Sequence, residues 1–149
     1  MSGLFKFEQD FAASLRCIPM VVRYKLDHCG VKLKLVDWLR LDPSDRQILV
    51  DTPANHALAQ QQYRHLIARL IAPAPIQDLA IAPNPAWQNL QALPEPLTQK
   101  LLELGLELGL AQWQQLSDLQ RFVLIKLCRA QHENHNFVPA LLEFGLLEY

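Results

Sequence analysis

A chain of 149 residues, 50% hydrophobic and 19% charged, is long enough for one domain to bury a core without metals or disulfides. Its formal net charge of −1 gives no general attraction to nucleic acid or to an anionic membrane surface. Three cysteines, Cys17, Cys29 and Cys128, lack CxxC spacing, which speaks against a disulfide framework and for reduced, mostly buried thiols.

The opening MSGLFKFEQDF places acidic residues where an export signal needs an apolar run, so the cytoplasm is the expected compartment. No stretch reaches the roughly 18 apolar residues of a membrane span. Glu8 and Asp10 read as residues of an early exposed turn. Residues 1–40 carry seven Lys/Arg against four Asp/Glu, a basic excess that reads as a solvated face or as a dock for an acidic partner.

Ile18, Val21, Val22, Leu26 and Cys29 recur at spacings of three and four, predicting a helix with Pro19 in its first turn and Gly30 as its stop. Asp42-Pro43-Ser44-Asp45 predicts an N-cap followed by proline at the first helical position. Asn55 is the expected cap of a longer helix to about Ala72, with Leu58, Leu66, Ile67, Leu70 and Ile71 on its apolar side. Residues 73–96 hold six of the ten prolines and form the expected connector, pinned by Trp87, Leu79, Ile81, Leu90 and Leu93. Ser117-Asp118-Leu119-Gln120 has the capping-box form, with Val123, Leu124, Leu127 and Cys128 on one face beyond it. Asn136 is the expected N-cap of a last helix, with Pro139 in its first turn and Gly145 after it. No alternating strand pattern stands out. The expected fold is all-α, a compact multi-helix, bundle-like single domain over 1–149.

Two halves, about 15–70 and 90–145, are related by a shift of 75. It aligns Gly30 with Gly105, Trp38 with Trp113, Arg46 with Arg121, and the caps Asp42 and Ser117. These coincidences point to a tandem duplication, each half needing the other to cover its leucine faces.

HENHNF, residues 132–137, gathers ligand-type side chains. On an unbroken helix Cys128, His132 and His135 would share a face, as zinc ligands do, but no fourth ligand is evident and the pattern is not HExxH. A polar helix–helix junction is the preferred reading, with no metal and no cofactor expected. Cys17 beside Arg16 is like an activated thiol in composition only, no serine has a nucleophile-elbow setting, and no glycine-rich phosphate loop is present. The basic residues of the first forty lack the aromatic interleaving of single-strand binders. The residues therefore point to a binding protein rather than an enzyme. Its candidate partner-binding residues are Arg16, Cys17, Arg23 and Lys25 at one junction and His132, Glu133, His135 and Asn136 at the other. The alternative is a small metal, cofactor or redox carrier built on Cys17, Cys29, Cys128, His132 and His135.

FEQDF with SLRCIPMVVRYKLDHCGVKLKL, and QRFVLIKL with HENHNFVPALLEFGL, together resemble the small cyanobacterial family described as nitrate reductase-associated proteins, over about Phe7 to Leu146. The resemblance implies a cytosolic accessory protein that supports assimilatory nitrate reductase by aiding assembly, cofactor insertion or electron delivery. The implied partner is that enzyme or a protein of its molybdenum-cofactor pathway. It implies no nitrate reduction by this chain, and it assigns no catalytic residue.

Overall fold

The structure, a computed structural model, describes residues 3–9, 17–129 and 134–148. The chain is all-α apart from one two-residue ribbon among the described residues. It divides into two compact units, Met1–Ile81 and Ala82–Tyr149.

In the first unit a 3-10 turn, Lys6–Glu8, precedes α1 (Met20–Cys29), α2 (Leu35–Arg40), α3 (Pro43–Asp51) and α4 (Ala57–Ile71). Glu8 is not in an exposed turn. It is 1% exposed, and its carboxylate accepts the amides of Phe5 and Met20, each at 3.1 Å. An acid from upstream thus satisfies an orphan N–H of α1 and complements the positive end of the helix. Val22, Leu26 and Cys29 from α1, Trp38 from α2, Leu49 and Val50 from α3, and Tyr63 and Ile67 from α4 form one buried cluster.

The second unit holds a 3-10 turn (Ala86–Gln88), α5 (Glu95–Leu104), α6 (Leu110–Gln115) and α7 (Asp118–Arg129). A further 3-10 turn (Asn134–Asn136) runs into α8 (Phe137–Glu143). Trp113, Leu97, Val123, Leu124, Leu127, Phe137 and Leu141 are fully buried there. Ser117 caps α7 as its sequence form predicts, Oγ accepting from the Gln120 amide at 3.1 Å while the Gln120 side chain accepts from the Ser117 amide at 2.9 Å.

The two units repeat one local design at the spacing of 75. Their helices begin at Met20 and Glu95, Leu35 and Leu110, and Pro43 and Asp118. Gly30 and Gly105 end the first helix of each with the same left-handed φ of 67°. Trp38 and Trp113 are both 0% exposed. Arg46 lies 6.0 Å from the Trp38 ring and Arg121 5.9 Å from the Trp113 ring. Each arginine donates to main-chain carbonyls at the end of the short helix: Arg46 to Trp38 O and Leu39 O, Arg121 to Trp113 O and Leu116 O. Arg121 donates as well to Trp87 O at 2.7 Å and pairs with Asp118.

Several local expectations fail. β1 (Val31–Lys32) pairs antiparallel with β2 (Gln77–Asp78), in the register Val31 with Asp78 and Lys32 with Gln77. Two-residue strands are too short to show alternation in sequence. The cap of α4 is His56, whose Nδ1 accepts the Ala59 amide at 3.2 Å, rather than Asn55. Leu58 is 60% exposed, because the buried face of α4 runs through Ala59, Tyr63 and Ile67, between a quarter- and a half-turn away. Asp42 precedes Pro43 as expected but makes no side-chain cap bond. Of the connector's apolar residues Trp87 is buried, whereas Leu79, Ile81 and Leu90 are 38%, 60% and 41% exposed.

Candidate functional site

The entry to α1 is the first of the two expected binding junctions. Arg16 lies outside the described residues. Cys17 is a half-buried free thiol. Arg23 donates Nε to Ile18 O at 3.1 Å, bracing the entry to α1. Lys25 is turned inward, its Nζ donating to Val50 O at 2.6 Å and Thr52 O at 2.7 Å, 6.0 Å from the Tyr63 ring. There it satisfies carbonyls at the C-terminal end of α3, where a cation also suits the helix dipole. Burial draws the Lys25 ammonium below its ordinary range, against the opposing pull of Asp51. Two of the four predicted residues are therefore occupied in holding the fold.

In HENHNF, His132 and Glu133 lie outside the described residues. His135 is exposed, and Asn136 is 6% exposed at the N-cap of α8, without a side-chain cap bond. Cys128 donates Sγ to Ile125 O at 3.2 Å within α7. Burial pushes its thiol above the ordinary range, and pushes Cys29 up to about 11 against the pull of Arg64 and Lys25. Both shifts disfavour the thiolate that a metal or an electrophile requires. Among the described residues no three His, Cys, Asp or Glu side chains are grouped to hold a metal.

The surface best fitted to a partner is α2, which composition and motif spacing do not single out. Of its six residues only Trp38 is buried. Leu35, Val36 and Leu39 are 51%, 50% and 45% exposed. Leu39 stands four residues from Leu35 and three from Val36, so the three form one continuous apolar ridge. Exposed Lys32, Lys34 and Arg40 border it. A cleft of about 400 Å³ opens beside it, lined by Asp37, Arg40 and Leu41 and by Leu70–Ala74 at the end of α4. An apolar ridge with a basic rim and an adjoining concavity has the anatomy of a protein-docking surface. The signal in the sequence is LVDWLR itself, four apolar residues on a six-residue helix of which the fold buries one.

No helix among the described residues is long and apolar enough to cross a membrane. No curated protein and no solved structure matches the chain. The family model of conserved nitrate reductase-associated proteins matches residues 4–144, which takes in both units and the α2 ridge. The chain belongs to the family of conserved nitrate reductase-associated proteins.

Proposed function

We propose that this protein is a non-enzymatic accessory factor of the cytoplasm. It binds assimilatory nitrate reductase, or a protein of its molybdenum-cofactor pathway, and supports assembly, cofactor insertion or activity. The observation that carries this reading is the family match over residues 4–144, since the family is described as nitrate reductase-associated. The α2 ridge supplies the means. Leu35, Val36 and Leu39 offer apolar area, and Lys32, Lys34 and Arg40 select an acidic counterpart.

The test is genetic and biochemical together. Deleting the gene abolishes growth on nitrate and nitrate reductase activity while growth on ammonium continues. The wild-type gene restores both, and Leu35→Glu/Leu39→Glu, a change confined to half-exposed positions, does not. Unchanged nitrate reductase activity in the deletion strain overturns the reading. Full rescue by the double variant overturns the assignment of the ridge.

A further inference from the structure

After Gly30 and after Gly105 the same stretch of backbone meets opposite surroundings. In the first unit it is covered. Val31–Lys32 pairs with Gln77–Asp78, and the Leu79 amide donates to Gly30 O at 2.8 Å. Arg64 donates to Cys29 O and Gly30 O, at 2.9 and 3.0 Å, and pairs with Asp78 at 2.7 Å. A Cβ added at Gly30 would sit 2.9 Å from Ile81 and 3.0 Å from Leu79 O. Cys29, Val31 and Leu33 are 3%, 1% and 8% exposed beneath this cover.

In the second unit the matching stretch is bare. Leu104 is 42% exposed, Gly105 is exposed, and no described residue lies within 4 Å of a Cβ added there. Among the described residues no hydrogen bond reaches Gly105 O or either backbone group of Glu107. An open groove of about 580 Å³ adjoins this stretch at Leu106–Gly109. Its lining includes Leu93, Leu101, Leu102, Leu106 and Leu108, with Leu102 74% exposed. The charge of the rim is also reversed. Glu107 and Glu103 stand where the first unit has Lys32 and His28, and Lys100, 3.9 Å from Glu103, offsets them in part.

We infer that this groove takes up an extended segment of a second protein, apolar at alternate positions and bearing a Lys or Arg, which adds antiparallel to Leu106–Glu107. In the first unit the equivalent backbone, Val31–Lys32, accepts an antiparallel strand. Free main-chain groups give such a strand its affinity, and the leucine-lined floor and acidic rim choose its sequence. The proposal stands apart from the nitrate reductase reading and from the α2 ridge, and each fails by itself.

The probe is a synthetic peptide of residues 74–82 with Gln77→Lys, since Gln77 faces Lys32 in the first unit and its equivalent would face Glu107. Titrated into the 15N-labelled full chain, it shifts the amides of Leu106–Leu108 saturably. It binds about 3- to 5-fold more tightly than the unaltered peptide, the scale of an opposite-charge cross-strand pair. Glu107→Lys reverses that order, and Leu102→Glu abolishes binding with the fold retained. No saturable shift by about 1 mM, a scale on which weak peptide contacts are still seen, overturns the proposal. So do shifts centred on Val31–Lys32, an order of affinities indifferent to Glu107→Lys, or concentration-dependent dimers that occupy the groove with a second copy.

Discussion

Arg46 and Arg121 show how much of this fold rests on single polar side chains. Arg46, 9% exposed, donates Nε to Trp38 O at 3.1 Å and Nη2 to Leu39 O at 2.8 Å, so one guanidinium closes the end of α2. Arg46→Ala takes from Leu39 O its side-chain donor and leaves Trp38 O with the Leu41 amide alone, and costs about 1–3 kcal/mol in urea unfolding. Arg46→Lys recovers less than half of this, because an ammonium lacks the fork that reaches both acceptors. Arg121→Ala costs more than Arg46→Ala, since Arg121 also holds Trp87 O at 2.7 Å. Cys29 gives a pH signature. Burial raises its folded-state pKa to about 11 from 9.0, so between those values the unfolded chain releases a proton that the folded chain keeps. Stability therefore falls as pH rises from about 9 to 11. Lys25, whose pKa is lowered in the fold, acts in the opposite sense below 10.5. Cys29→Ala should flatten the alkaline decline of stability seen by denaturant titration at successive pH values, whatever it does to stability at neutrality.

At the level of elements, Gly30 and Gly105 form a natural control for each other. Both end a helix at φ 67°, where any side chain is strained, but only Gly30 is roofed by Leu79 and Ile81. Gly105→Ala should cost about 1 kcal/mol, the left-handed penalty alone. Gly30→Ala should cost about 2–4 kcal/mol, the same penalty plus overpacking. It should also loosen β1 from β2, seen as faster amide exchange at Leu79. Equal costs at the two positions would mean that the ribbon does not grip Gly30. The helix boundaries were legible because local chemistry sets them: Pro19, Gly30, Pro43 and the Ser117–Gln120 pair act within a few residues of themselves. The ribbon was not legible, because Val31–Lys32 meets Gln77–Asp78 across 45 residues of chain and two residues carry no period. The α4 cap was missed for a smaller reason. Asn55 is the better capping residue by type, and His56 took the place because its Nδ1 can accept when the other ring nitrogen holds the proton. The candidate site was the least legible part. Basic and polar clusters drew attention to Lys25 and Asn136, yet a charge in sequence does not reveal whether its head group faces water or a row of carbonyls.

For the whole molecule, charge is divided where the core design is repeated. Residues 1–81 carry ten Lys/Arg against eight Asp/Glu, and residues 82–149 carry four against seven. The near-zero total hides two surfaces of opposite sign, the basic rim of α2 and the acidic rim beside Glu107. Interior positions of the two units match, Trp38 with Trp113 and Arg46 with Arg121. The surface positions diverge, Lys32 and Lys34 against Glu107 and Gly109. Burial constrains the first set and partners are free to shape the second. The consequence for α2 is measurable. If Lys32, Lys34 and Arg40 steer an acidic partner, capture of nitrate reductase activity by the immobilised protein should weaken as salt rises from about 0.1 to 0.5 M, where the screening length roughly halves. Lys32→Glu/Lys34→Glu should remove most of the capture at low salt without lowering the unfolding midpoint, since both residues are exposed. Leu39→Glu should reduce capture at every salt concentration, because burial of apolar area is not screened by salt as charge attraction is. Capture that is indifferent to salt and to both lysines would assign the partner's contact to another face of the protein.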